Sequence, residues 1–173
     1  MNIPTLTTAR LRLRAFRAGD LDAYAEMCAD PEVMRHIGAG GPVGRDVAWR
    51  QMALFLGEWA LRGRGQWAIE RRSDGRLIGR AGFLQPEGWP GVELAWLLAR
   101  DAWGQGHASE AARAALAWGR DATGLGECIS LIRPDNVRSI AMAARLGAVD
   151  DGEIDFLGGR ARRFRHPLPQ PGA

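Results

Sequence analysis

The chain has 173 residues and not one lysine: all 23 basic side chains are arginine. That absence excludes a lysine nucleophile, a Schiff base and the lysine-bearing phosphate loop of nucleoside triphosphatases. Cysteine is scarce as well. Cys28 and Cys128 lie far apart, without metal-ligand spacing, which predicts reduced thiols and no metal site. Cys128 sits in an apolar run, where a thiolate is costly, so it is a poor nucleophile. No stretch approaches the ~18 apolar residues of a membrane span, and the N-terminus has no apolar signal region. The expected location is the cytoplasm, with no membrane partner. Tyrosine is nearly missing, Tyr24 being the only one, and the net charge of +3 is too small to argue for a nucleic-acid partner. It does suit a compact anionic ligand.

What is present is an ordinary globular composition, 46% apolar and 25% charged, in a length that predicts one domain over residues 1–173. Residues 11–16 alternate apolar and polar as a half-buried strand does. Asp20 is placed to cap a helix that runs to about residue 29 and stops at Asp30-Pro31. A glycine-rich loop over 38–44 precedes a second helix over 45–62. Strands over 66–71 and 76–84 flank Ser73-Asp74-Gly75, a hairpin signal. A turn over 86–91 leads to a strand over 91–99. A helix with small apolar residues on one face spans 108–123 and ends at Gly124. A strand over 127–132, a helix from Pro134-Asp135-Asn136 to Gly147, and a last hairpin over 149–156 and 160–166 complete the order. The tail from 168 to 173 is expected to be loose. Strand, two helices, three strands, helix, strand, helix and two strands make an α/β (α+β) fold with a mixed, mostly antiparallel sheet.

The most informative segment is Trp103-Gly104-Gln105-Gly106-His107-Ala108-Ser109-Glu110. It joins the strand over 91–99 to the helix over 108–123. Glycines let a backbone approach a ligand closely, and the first N–H groups of a helix are free to bind an anion. The dinucleotide fingerprint fits poorly. Its third glycine would be Ser109, and the acidic residue some twenty positions on, Glu127, opens the next strand instead of closing it.

The run from Val92-Glu93-Leu94 through Trp103-Gly104-Gln105-Gly106 to Glu110-Ala111 resembles the acetyl-CoA motif of the GCN5-related N-acetyltransferases (GNAT). It is most similar to the branch that acetylates the N-termini of ribosomal proteins (RimJ/RimL-like). Pro134-Asp135-Asn136-Val137-Arg138-Ser139 with Leu146-Gly147 resembles a second motif of that branch. Arg10-Leu11-Arg12-Leu13-Arg14, with Asp20 beyond and Asp30-Pro31-Glu32-Val33 after it, resembles the opening segment. The likeness covers residues 5–156.

The resemblance implies an enzyme that moves an acetyl group from acetyl-CoA to a primary amine, without a metal. The N–H groups of Gln105, Gly106, His107 and Ala108 would hold the pyrophosphate, with Trp103, Gly104 and Ser109 beside them. His107 would then act through its backbone, its ring facing solvent. Leu97, Leu98 and Ala99 would offer backbone groups to the pantetheine arm as an added strand does. Trp103 stands where many relatives carry Arg or Gln. Asn136, Ser139 and Ala143 fall on one helical face. Relatives place a tyrosine acid where Ala143 stands, so Ser139 is the remaining proton donor. Ser139 also reads as a helix serine satisfied by the backbone, and Asn136 either as an N-cap or as a contact to the arm. Glu93 reads as the general base or as a surface carboxylate paired with an arginine.

The first acceptor the resemblance implies is a protein or peptide N-terminus. A small-molecule amine such as an aminoglycoside or polyamine is the alternative, and a non-catalytic acyl-CoA-binding domain is a third reading. Residues 20–65 are expected to choose the acceptor. Trp49, Trp59 and Trp89 read as pocket or as core. Arg160, Arg162, Arg163 and Arg165 read as a solvated edge strand or as an attraction for an acidic partner. A homodimer is common in the resembling family.

Overall fold

Alternating side chains on the strands and one-faced helices build a single sheet with helices on both sides. A computed structural model describes residues 2–168. Its strands are β1 (Leu6–Thr7), β2 (Leu11–Arg14), β3 (Gln66–Arg71), β4 (Leu77–Leu84), β5 (Glu93–Leu98), β6 (Glu127–Ile132), β7 (Val149–Phe156) and β8 (Gly159–Pro167). The helices are α1 (Leu21–Ala29), α2 (Pro31–Met34), α3 (Arg45–Arg62), α4 (His107–Thr123) and α5 (Val137–Arg145). The sheet order is β1-β2-β3-β4-β5-β6-β8-β7. Every neighbouring pair is antiparallel except β5 and β6. β1 and α2 are additions to the elements expected from sequence, each too short to show a period.

The register sorts side chains onto two faces. Leu13, Ile69, Phe83, Leu94 and Leu98 point to one face, where Ala111, Ala112 and Ala115 of α4 pack on them. Small residues let this helix lie close to the sheet. A methyl group at Gly119 would come within 2.7 Å of the Phe83 ring. The opposite face carries Ala68, Leu84 and Leu97 beneath α1 and α3, together with Arg14, Glu70, Gln66, Arg80 and Glu93. Trp59 joins Trp67 and Trp118 in the core at ring distances of 4.7 and 5.2 Å.

Several expectations are corrected. Asp20 occupies the N-cap of α1 but its side chain caps nothing there. Its carboxylate instead accepts from both terminal nitrogens of Arg14 (2.7 and 2.8 Å) and from the Arg17 N–H (2.7 Å). A buried guanidinium outcompetes a helix N–H as partner. The arginine-rich strand β8 is not an edge, since β7 covers it. Its charges are absorbed locally: Arg160 pairs with Glu153, Arg162 with Asp150, Arg163 with Asp151 and Arg165 with Glu127. Leu168, expected in the loose tail, is buried and donates its N–H to the Gly126 carbonyl at 2.8 Å. The rest of that tail, 169–173, lies outside the described residues.

Candidate active site

β5 and β6 are parallel neighbours for only one register pair, Glu93 with Ile129. The Ile129 N–H donates to the Val92 carbonyl at 2.8 Å, and the Ser130 hydroxyl to the Leu94 carbonyl at 2.7 Å. Beyond that tie the strands part. The Ala99 N–H donates to Ile78 at 2.9 Å. By alternation the backbone groups of Leu97 and Ala99 therefore serve the β4 ladder. Those of Trp96 and the N–H of Leu98 turn into the gap instead. Of the three residues expected to serve an extended arm through their backbone, only Leu98 faces the right way. Trp96, not singled out from sequence, turns its backbone into the same gap, since an unpaired strand edge leaves no mark on a sequence.

The gap opens onto a groove of about 560 Å³ that runs to the N-terminus of α4. Leu97, Leu98, Trp103, Gly104, Gly106, His107, Ala108, Ser109, Asn136 and Ser139 line it, whereas Ala99 and Gln105 do not. Gly104 and Gly106 have φ of +72° and +78°, a conformation that other residues reach only with strain. Gly106 is the N-cap and no side chain caps the helix. The N–H groups of His107, Ala108 and Ser109 thus have no acceptor inside the helix. The loop is held from below. The Glu110 carboxylate accepts from the Thr8 hydroxyl (2.6 Å), the Arg10 N–H (2.9 Å) and Arg10 Nε (2.7 Å). Arg10 Nη1 in turn donates to the Gln105 carbonyl at 2.7 Å.

Two side chains differ from expectation. The His107 ring is buried rather than solvent-facing. Burial and the nearby Arg10 charge push its pKa below the ordinary value, and its Nδ1 finds no partner among the described residues. Trp103 donates its indole N–H to the Leu98 carbonyl at 2.9 Å, and the Arg138 guanidinium stacks 4.0 Å from its ring centroid. Arg138 was not singled out from sequence. It restores a cation beside the loop where Trp103 had removed one.

A second cavity, of about 210 Å³, lies on the α1/α3 side of the gap. His36, Ile37, Trp96, Asn136 and Ser139 line both spaces, so the two meet between the segment after α2, β5 and the start of α5. Asn136 caps α5, its Oδ1 accepting from the Ser139 N–H at 3.2 Å. Ala143 is fully buried against Ile132 and Phe164 and lines neither space. Glu93 lines the second cavity and is no surface carboxylate, being only 8% exposed. Burial pushes its pKa up to about 7, against the opposing pull of a hydrogen bond from Trp89 (2.6 Å), the Arg80 charge and the Leu131 N–H. Of the three tryptophans considered, Trp89 lines this cavity, Trp59 is core, and Trp49 is 58% exposed and outside it. Tyr24, remote in sequence, is sealed beneath the cavity with its hydroxyl donating to Gln51 at 2.7 Å. Burial pushes its pKa up.

An anion cradle at a helix N-terminus, a strand edge open to an extended amide chain, and a carboxylate across the gap define the layout of an acyl-carrier-dependent transferase. The unpaired N–H groups of His107, Ala108 and Ser109 fit a pyrophosphate. Cys128 is buried, with its thiol pushed up to about 12 by that burial, so it supplies no nucleophile. Among the described residues no helix is long and apolar enough to cross a membrane, and no group of three or more metal-ligating side chains occurs.

Residues 10–149 match the family of the acetyltransferase (GNAT) domain, and the chain belongs to it. It is an N-acetyltransferase whose donor is acetyl-CoA. An uncharacterized protein of Bacillus subtilis (strain 168), YkkB, is 31% identical over 85% of this chain and 87% of its own. A crystal structure of an acetyltransferase from Agrobacterium tumefaciens superposes with a TM-score of 0.86 at 32% identity, covering 95% of both chains. RimL, an L7/L12 α-N-protein acetyltransferase solved in complex with coenzyme A, shares the fold at a TM-score of 0.79 and 15% identity. It covers 95% of this chain and 98% of its own.

Proposed function

We propose that the cavity beside Glu93 receives a small primary amine and that the chain transfers an acetyl group to it. The observation that carries this reading is the meeting of the two spaces at Ser139 and Asn136, with Glu93 on the amine side and the α4 cradle on the other. Acetyl-CoA supplies the activated acetyl thioester. His107, Ala108 and Ser109 N–H groups and Arg138 hold its phosphates, and the open edge at Trp96 and Leu98 holds its arm.

Glu93, with a pKa near neutrality, takes the proton of the incoming ammonium. The amine nitrogen bonds to the thioester carbon, and the carbon–sulfur bond breaks. The Trp96 N–H, turned into the gap, donates to the carbonyl oxygen as negative charge gathers there. The leaving sulfur takes a proton from the Ser139 hydroxyl, which regains one as the bonded nitrogen sheds its second proton, and Glu93 returns its own to solvent. The products are an N-acetylated amine and coenzyme A thiol, with one proton released.

Between the acceptors expected from sequence, the cavity favours a small molecule over a protein N-terminus. Arg133 donates to the Gly38 carbonyl at 2.9 Å and to the Phe156 and Leu157 carbonyls at 3.4 Å. It ties the 38–44 loop to the β7–β8 hairpin across the far wall. The test is incubation with acetyl-CoA and a panel of small amines and peptides, following thiol release and the acetylated product by mass spectrometry. Peptides outpacing every small amine would reverse the choice of acceptor.

A further inference from the structure

We infer that the acceptor amine carries an oxyanion group, carboxylate or phosphonate, which pairs with Arg80 and Arg133 in the Glu93 cavity. The inference rests on the transferase reading and names its substrate class. Two buried arginines lie on the same face of the sheet, each 5% exposed. Arg14 has two carboxylate partners, Asp20 and Glu70, each at 2.7 Å. Arg80 has none within 4 Å among the described residues. Its Nε donates to the Tyr24 hydroxyl (3.1 Å) and its Nη1 to the Gln66 amide oxygen (3.0 Å), both neutral. The Phe55 ring lies 5.0 Å from its guanidinium carbon. A buried cation with only neutral partners is costly, and a carboxylate or phosphonate is the group that matches its planar fork.

A second, half-buried guanidinium faces the cavity without a carboxylate partner among the described residues. Arg133 also lines it, and its guanidinium donates only to backbone carbonyls. His36 is beside Asp135, at 3.3 Å. Among the described residues Glu93 is the only carboxylate on the wall, and it is engaged by Trp89. Two unpaired guanidiniums against one carboxylate disfavour a polyamine or an aminoglycoside. An amine that brings its own negative charge offsets them. The register places the ends of such a molecule. Glu93 stands opposite Leu84 and Arg80 lies four residues back along β4, with Gly82 and Ala95 as the low floor between. The amine then sits at Glu93 and the oxyanion toward Arg80.

The experiment compares α-amino acids, their uncharged amides and aminoalkylphosphonates as acceptors, for the wild type, Arg80→Gln, Arg80→Lys and Arg133→Gln. Acids or phosphonates are expected to exceed the matched amides by about tenfold or more in kcat/KM, a difference near 1.4 kcal/mol. Whichever of the two wins identifies the oxyanion. With acceptors compared at pH 9, where Glu93 is ionised with or without the Arg80 charge, Arg80→Gln is expected to raise KM for the charged acceptor about tenfold or more relative to the matched amide, with partial recovery in Arg80→Lys. Amides or polyamines acetylated as well as the acids overturn the proposal. If no amine releases thiol, the transferase reading fails separately. Calorimetric titration of the CoA-loaded wild type with the same acids and amides then decides the charge preference: tighter binding of the acids supports it, equal or absent binding overturns it. The wild-type comparison keeps the test intact should an Arg80 variant fail to fold.

Discussion

The indole N–H of Trp89 donates to the Glu93 carboxylate at 2.6 Å, four residues along the chain and at the wall of the second cavity. This bond favours the ionised carboxylate, whereas burial favours the neutral acid. Burial prevails and leaves the group near pH 7. Trp89→Phe removes the opposing bond. The acidic limb of the kcat/KM profile is expected to move above pH 7, with little change at pH 9.

Glu93→Gln keeps the shape and removes the proposed base. We expect kcat/KM to fall by about 10²-fold or more and the rise in activity through about pH 7 to vanish. A variant that retains both the rate and the limb would show that the proton leaves by another route.

Two buried groups make stability depend on pH in opposite directions. Glu93 titrates higher folded than unfolded, so its contribution is complete below its ordinary value of 4.5 and is lost as pH rises through about 7. Burial pushes the His166 pKa down to about 4 from 6.5. Its contribution is present above 6.5 and is lost as pH falls toward 4. In thermal melts, Glu93→Gln is expected to gain on the wild type as pH rises from 5 to 8. His166→Gln, which keeps a donor for Ser130 (2.9 Å from His166 Nε2), is expected to gain as pH falls from 7 to 4. Each difference is about 3 kcal/mol at most.

Ser139 is a positioning test for α5 as well as a chemical one. Ser139→Ala leaves its N–H on Asn136 and so keeps the cap. The expected result is a fall in kcat of about tenfold or more with KM for acetyl-CoA unchanged. Rates measured with thioesters of more acidic thiols should fall less, since a better leaving group needs less proton donation.

Gly106→Ala forces a side chain into φ +78°, and its methyl group would approach Arg10 at 3.4 Å. The strain costs about 1–2 kcal/mol, a loss of roughly 2–8 °C in Tm for a chain of this size. Stabilisation by coenzyme A in the same melt is expected to shrink. Gly126→Ala, with open space around it, serves as the control and should do neither.

The glycine loop and its uncapped helix were legible in the sequence because they depend on backbone. Two glycines before an alanine-rich helix specify an uncapped N-terminus wherever the chain runs. Asn136 and Ser139, three residues apart on one helical turn, could be placed on one face from sequence, and that face lines both spaces. The acceptor half was not legible. Arg80 looked like one arginine among many, and only the strand register shows that it lacks the carboxylates Arg14 has. His107 was misplaced because a histidine beside two glycines reads as loop, whereas the first turn of α4 folds its ring inward. Asp20 was misassigned because a local cap and a distant buried arginine compete for the same oxygens, and only the second wins.

By itself the sequence determined the longer elements and their order, the glycine cradle and the absence of any lysine chemistry, since these follow from local dihedral preference, hydrophobic period and residue type. The tertiary structure decided which strand edge is open, which carboxylate is buried enough to titrate near neutrality and which arginine is left without a partner. Those properties belong to pairs of residues brought together from distant parts of the chain, and desolvation, charge pairing and ladder register arise only once they meet.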